Sequence, residues 1–119
     1  MNKEEYLNEI DKLNLQKNKY CITDDGAMLL FGLVDEVYNI CLKVSSDYFE
    51  MNELFKLIKE YELTNHFQVL VSDFNPSDIF MIDGYPVEAL ERILEQKLNK
   101  NDNFDSDKII KIKKYFKIK

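Results

Sequence analysis

YCITDDGAMLLFGLVDEVYNICLKV, residues 20–44, decides how this chain folds. Tyr20–Thr23 is a short apolar run suited to a buried strand. Thr23 and Asp24 are both residue types that cap helix N-termini, so a helix is expected from about Asp25. Beyond that point two patterns overlap. Ala27, Phe31, Val34, Tyr38 and Cys41 fit one long helix. Tyr38, Ile40, Leu42 and Val44, alternating with Asn39, Cys41, Lys43 and Ser45, fit a strand equally well. Gly32 and the Asp35-Glu36 pair favour a break between the two, with a helix to about Leu33 and a strand from about Val37.

Working outward, residues 3–16 read as an amphipathic helix with Tyr6, Leu7, Ile10 and Leu13 at helical spacing. Asp47 with Glu50 forms a capping-box pattern ahead of a helix striped by Phe49, Leu54, Leu57, Ile58 and Tyr61. Phe55 joins this core set, and His66 reads as a loop residue. Phe67–Ser72 and Ile79–Ile82 are strand candidates joined through Asn75-Pro76-Ser77-Asp78, and Asp83-Gly84 ends the second. Pro86 is expected at a helix start, with Val87, Leu90, Ile93, Leu94 and Leu98 on one face. After a polar break at Asn99–Asn103, Ser106 or Asp107 caps a last helix. Its Ile109, Ile112 and Phe116 point inward, and Lys108, Lys111, Lys114 and Lys117 point outward. The expectation is one α/β (α+β) domain over 1–119. It comprises an N-terminal helix at 1–16, a sheet core at 20–83 and two C-terminal helices at 86–119. The sheet is short, mixed and twisted, with about four strands flanked by helices.

The chain has 119 residues, 45% of them hydrophobic, enough for one real core. It contains no run of about 18 apolar residues and no basic-then-apolar leader, so no membrane association and a cytoplasmic location are expected. Cys21 and Cys41 lie in apolar stretches and read as buried thiols. His66 has no ligand partner at a useful spacing, which argues against zinc. The net charge of −6 is unevenly spread. Residues 1–95 carry 8 Lys/Arg against 19 Asp/Glu, and residues 96–119 carry 8 Lys against 3 Asp. So acidic a body repels nucleic acid. The basic end either binds an anion or neutralises the body it packs against.

Residues 20–44 also carry a family resemblance. Ala27, Leu30, Phe31-Gly32-Leu33, Ile40 and Leu42 stand where small nucleotidyltransferases place a glycine-led helix and a strand bearing Asp-x-Asp. The likeness extends to about residue 116. Val87, Leu90, Ile93, Leu94 and Lys97 are similar to a helix near the C-terminus of lincosamide and aminoglycoside nucleotidyltransferases and their relatives. Lys100 and Asp102 match a following step loosely, with Asn101 where a Lys is usual. The resemblance implies a nucleotidyltransferase-like fold that is degenerate where chemistry would occur. Asp24 and Asp25 occupy the glycine positions ahead of Gly26, so the phosphate site carries carboxylates. Asn39 and Cys41 occupy the two aspartate positions, and Val34 stands where relatives often carry Arg. Asp78 is the candidate for a residual third carboxylate.

Nucleotidyl transfer depends on carboxylates that hold Mg²⁺ and on backbone N–H groups that receive phosphate. Asn39 offers a neutral oxygen and Cys41 a soft sulfur, so no catalytic residue, metal or cofactor is expected. Asp24 and Asp25 are either a helix cap or remnants of a nucleotide site. Lys97 and Lys100 are candidates for phosphate contact or for a solvated face. Asp73, Asp78 and Asp83 form a possible group around the strand pair for one hard cation. The leading expectation is a non-catalytic protein of antitoxin, immunity or regulatory type, acting through a protein partner of basic character at Asp24, Asp25, Asp35 and Glu36. The alternative is an enzyme that uses Mg²⁺ with a nucleoside triphosphate to modify a small molecule, protein or RNA through an atypical site.

Overall fold

A computed structural model of the chain describes residues 1–51, 67–100 and 106–118. Its helices are α1 (Lys3–Leu13), α2 (Asp25–Leu30), α3 (Ser46–Met51), α4 (Leu90–Lys100) and α5 (Ser106–Ile118). Its strands are β1 (Tyr20–Ile22), β2 (Ile40–Val44), β3 (Phe67–Val71), β4 (Ile79–Ile82) and β5 (Tyr85–Glu88). The strands form one mixed sheet in the order β3-β2-β1-β5-β4. β1 runs antiparallel to β2 and parallel to β5, β2 is parallel to β3, and β4 is antiparallel to β5.

α1 is fixed at both ends by local chemistry. The Asn2 side chain accepts from the Glu5 N–H at 2.9 Å, and the Glu5 carboxylate accepts from the Asn2 N–H at 3.0 Å. Asn14 then turns left-handed (φ 50°), which ends the helix at Leu13, earlier than the expected residue 16. The double pattern over residues 27–44 resolves as a break. α2 ends at Leu30, Gly32 takes φ +83°, and β2 starts at Ile40. That backbone state favours glycine over the β-carbon-bearing residues of the run.

Register sorts the strand residues onto two faces. Tyr20, Ile22, Ile40, Leu42, Val44, Val69 and Val87 share one face and are all buried. Tyr6 and Ile10 of α1, with Met28 and Leu30 of α2, belong to the same core cluster. Full burial of each such side chain contributes about 1.5–3 kcal/mol. α5 joins through Ile112, and Tyr115 meets Phe31 edge-on at 6.0 Å. The opposite face carries Cys21, Thr23, Cys41, Lys43, Gln68 and Glu88.

Four expectations need correction. Residues 85–88 are a fifth strand, and the helix assigned to Pro86 starts at Leu90. Asp83 (φ 53°) and Gly84 (φ 86°) form a tight hairpin turn that sends the chain straight back as β5. Pro86 is tolerated because the ladder to β1 is in register only at Ile22 and Val87, beyond the proline. Secondly, β3 and β4 are not neighbours across a turn but occupy opposite edges of the sheet. Thirdly, α3 starts at Ser46, so Asp47 lies in its first turn and is not its N-cap. Fourthly, the second strand starts at Ile40, not Val37. Leu54, Phe55, Leu57, Ile58, Tyr61, His66, Asn101 and Asp102 lie outside the described residues.

Candidate functional site

The polar face of the sheet culminates where β1 enters α2. Thr23, at the end of β1, is fully buried and donates its hydroxyl to Glu88 at 2.6 Å. Lys43 of β2 reaches the second Glu88 oxygen at 2.5 Å, and Gln96 of α4 donates to the first at 3.3 Å. One buried carboxylate thus receives three donors, one of them cationic. Such satisfaction is what allows a charge beneath a sheet surface, since an isolated buried carboxylate is strongly disfavoured. Above this network lies a cavity of about 660 Å³ lined by Thr23, Asp24, Lys43, Leu70, Gln96 and Asn99, among others.

Beside it sits a quartet of charges. Lys97 of α4, only 3% exposed, places Nζ 2.5 Å from Asp24 Oδ1 and 3.8 Å from Asp25 Oδ1. Lys108 of α5 approaches Asp25 Oδ1 at 2.7 Å and donates to Oδ2 at 2.8 Å. The two acidic residues are therefore neutralised by two lysines from the basic end of the same chain. Asp24 precedes α2 yet its side chain makes no capping hydrogen bond. The cap reading of Asp24 is corrected: the carboxylate is turned towards Lys97 instead. Lys97 is equally removed from the solvated-face reading, because it is buried.

The Asp24 backbone is as informative as its side chain. It holds φ 56° and ψ −130°. Glycine visits that region freely, whereas a β-carbon makes it strained by roughly 1–3 kcal/mol. Gly26, two residues on, is packed hard: a β-carbon there would lie 2.1 Å from the Tyr6 hydroxyl oxygen and 2.8 Å from Ile22 Cγ2.

Asn39 lines a second cavity, of about 350 Å³, together with Asp25, Glu36, Tyr38 and Lys108. Cys41 is buried, and its Sγ lies 3.4 Å from Gln68 Oε1 as donor. Burial, with Asp24 and Asp25 adding to it, pushes the Cys41 thiol up to about 12; burial with Glu88 does the same for Cys21. A protonated thiol and a neutral amide do not suit Mg²⁺, which prefers charged oxygen ligands. The carboxylates nearest them are already held by lysines. The residues present do not fit a Mg²⁺–triphosphate site, and among the described residues no three His, Cys, Asp or Glu side chains are grouped to hold a metal ion.

The remaining expected site residues scatter. Asp78 ends the short turn just before β4, three strand positions from β2, and pairs with Arg92 at 3.3 Å. It is not a third carboxylate of this site; Glu88 is the carboxylate that the fold delivers, from the strand that replaces the helix start expected at Pro86. Asp83 pairs with Lys3, and Asp73 accepts from the Ser46 N–H at 3.3 Å. Asp73 follows β3 and the other two flank β4 at the far edge, so the three form no group. Asp35 and Glu36 are exposed beside Tyr38, which is 87% exposed. Lys111, Lys114 and Lys117 are exposed, whereas Lys108 is half-buried in the quartet. Comparison with protein-family models, curated proteins and solved structures found no match. No helix among the described residues is long and apolar enough to cross a membrane.

Proposed function

We propose that this chain is a non-catalytic protein of nucleotidyltransferase-like architecture that acts by binding a protein partner of basic character. The observation that carries this reading is the quartet of Asp24, Asp25, Lys97 and Lys108. Where an active relative would receive metal and triphosphate, this chain places its own carboxylates and closes them with its own ammonium groups. An incoming triphosphate would have to displace both ion pairs and then face two carboxylates. A like charge at 4 Å opposes binding by about 4 kcal/mol at an effective dielectric near 20. The glycine-like backbone at Asp24 supports descent from a glycine-bearing turn.

The contact surface is centred on Tyr38 with Asp35 and Glu36. Asp25 and Lys108, already paired with each other, line the same cavity as Glu36 and Tyr38. An exposed tyrosine beside carboxylates suits a partner's Lys or Arg side chains, because aromatic anchors dominate contact energies and complementary charge speeds encounter. The test is thermal denaturation with each nucleoside triphosphate, with and without Mg²⁺ or Mn²⁺. No change in melting temperature is expected, whereas a competent site at a hundred times Kd would add about 2.7 kcal/mol. Labelled nucleoside monophosphate appearing on any acceptor would establish the transferase reading instead.

A further inference from the structure

We infer that β4 is a dimerisation edge, to which a second copy of this chain adds its own β4 in antiparallel orientation. The inference does not depend on the binding role proposed above. β4 ends the sheet order and, among the described residues, pairs with β5 alone.

The outer edge has a definite hydrogen-bonding pattern. In an antiparallel ladder, alternate residues bond the neighbour and the others point away. The two-residue turn at Asp83-Gly84 makes Ile82 and Tyr85 the bonded closing pair. The Ala89 N–H donates to the Asp78 carbonyl at 2.7 Å, which gives the even-numbered residues the same inward role at the other end. Pro86, which has no N–H, stands opposite Met81 and agrees with this phase. The Met81 N–H and C=O and the Ile79 C=O therefore face outward. The Ile79 N–H is already bonded to the Pro76 carbonyl.

This row is self-complementary about Met81. In a two-fold pair the two Met81 residues exchange N–H···O=C bonds. Each Asp83 N–H then meets the Ile79 carbonyl of the other copy. Directly opposed residues share a sheet face. Phe80 accordingly faces Ile82 of the second copy, beside the Phe31 ring that it meets at 6.2 Å.

The side chains oppose nothing in this arrangement. β4 carries no charge, and Phe80 and Met81 are 49% and 60% exposed. Edge strands are usually protected by lysine, proline, a bulge or a cover. β4 has none of these among the described residues and is protected only by its shortness. Its flanking carboxylates would repel across a two-fold axis, but Arg92 pairs with Asp78 at 3.3 Å and Lys3 with Asp83 at 2.5 Å. Four residues a side make a small interface, so the association is reversible and belongs to the weak class below about 1,200 Å².

Sedimentation equilibrium from about 10 µM to about 1 mM spans the range expected for such a contact. The mass should climb from 14.2 kDa towards twice that value. Met81→Pro removes the outward donor without breaking a bond to β5, and Met81→Lys puts a charge on the edge. Each should weaken association at least about tenfold. Leu98→Lys, an exposed apolar site on α4, should leave it unchanged. If Met81→Pro does not fold, Met81→Lys carries the test. Amide exchange at Met81 should slow as concentration rises. A monomer throughout the range overturns the inference, as does a dimer that Met81→Lys leaves intact or that Leu98→Lys abolishes.

Discussion

Replacing Asp24 by glycine and by alanine separates two effects that coincide at one residue. Both changes remove the carboxylate 2.5 Å from buried Lys97 and leave the Asp25 carboxylate 3.8 Å away. Removing one member of a buried pair typically destabilises by 3–5 kcal/mol. Asp24 is about one-third exposed and Asp25 remains, so about 3 kcal/mol is the appropriate end of that range. Only glycine also relieves the backbone at φ 56°, ψ −130°, by roughly 1–3 kcal/mol. Asp24→Ala should therefore lose about 3 kcal/mol and Asp24→Gly about 0–2. At an ordinary site the order is the reverse, with glycine worse than alanine by about 0.5–1 kcal/mol. Urea unfolding followed by circular dichroism measures the difference. With a slope of about 2 kcal/mol/M, the two midpoints should differ by roughly 0.5–1.5 M. Combining Asp24→Gly with Lys97→Met removes strain and pair together and should return stability to the wild-type level or above. An alanine variant as stable as the glycine variant would refute the strain argument. A double variant no better than Asp24→Gly would refute the pairing argument.

Lys43→Met should destabilise by about 3 kcal/mol because it strands the buried Glu88 carboxylate, and adding Glu88→Gln should recover most of the loss in the same unfolding assay. Gly26→Ala should lose roughly 2–3 kcal/mol through overlap with the fully buried Tyr6; Tyr6→Phe should restore part of it. The thiols of Cys21 and Cys41 are held up near 12 in the fold, above their unfolded value near 9. Between those values only the unfolded chain loses the protons, so stability falls as pH rises from about 9 towards 12 and is unaffected below that window. Unfolding at stepped pH should show the decline, and a Cys21→Ala/Cys41→Ala variant should flatten its lower part. Iodoacetamide should label neither thiol at neutral pH until the chain unfolds.

Much of this architecture can be read from local pattern. The alternation at Ile40, Leu42 and Val44 marks β2, and Ile109, Ile112 and Phe116 mark the inner side of α5. In each case one buried face repeats with the period of its element. β5 is hard to read from the sequence because Pro86 ahead of Val87 and Leu90 resembles a helix start, although Asp83-Gly84 is a sound hairpin signal. Glu88 then falls within an expected helix, where nothing local marks it as a site residue. The quartet was harder still. Asp24 looks like a cap and Lys97 like a solvated lysine, since nothing local specifies that side chains 73 residues apart will meet. Pairing at that range is set by tertiary packing, and propensity has no term for it.

The arrangement of β1 has a consequence for how the chain assembles as it is synthesised. β1 is the middle strand of five, yet its neighbour β5 is joined to it by a bond spanning 65 residues, and Lys108 reaches Asp25 across 83. While residues 1–80 emerge from the ribosome, at roughly 5–20 residues per second, the central strand has one flank uncovered and two adjacent carboxylates without counter-ions. α5, made after every strand of the sheet, supplies a cation for Asp25, so the acidic first half waits on it. Folding rates fall as contacts become more distant in sequence. This chain should therefore gain its order late and nearly all at once, after α5 has cleared the exit tunnel.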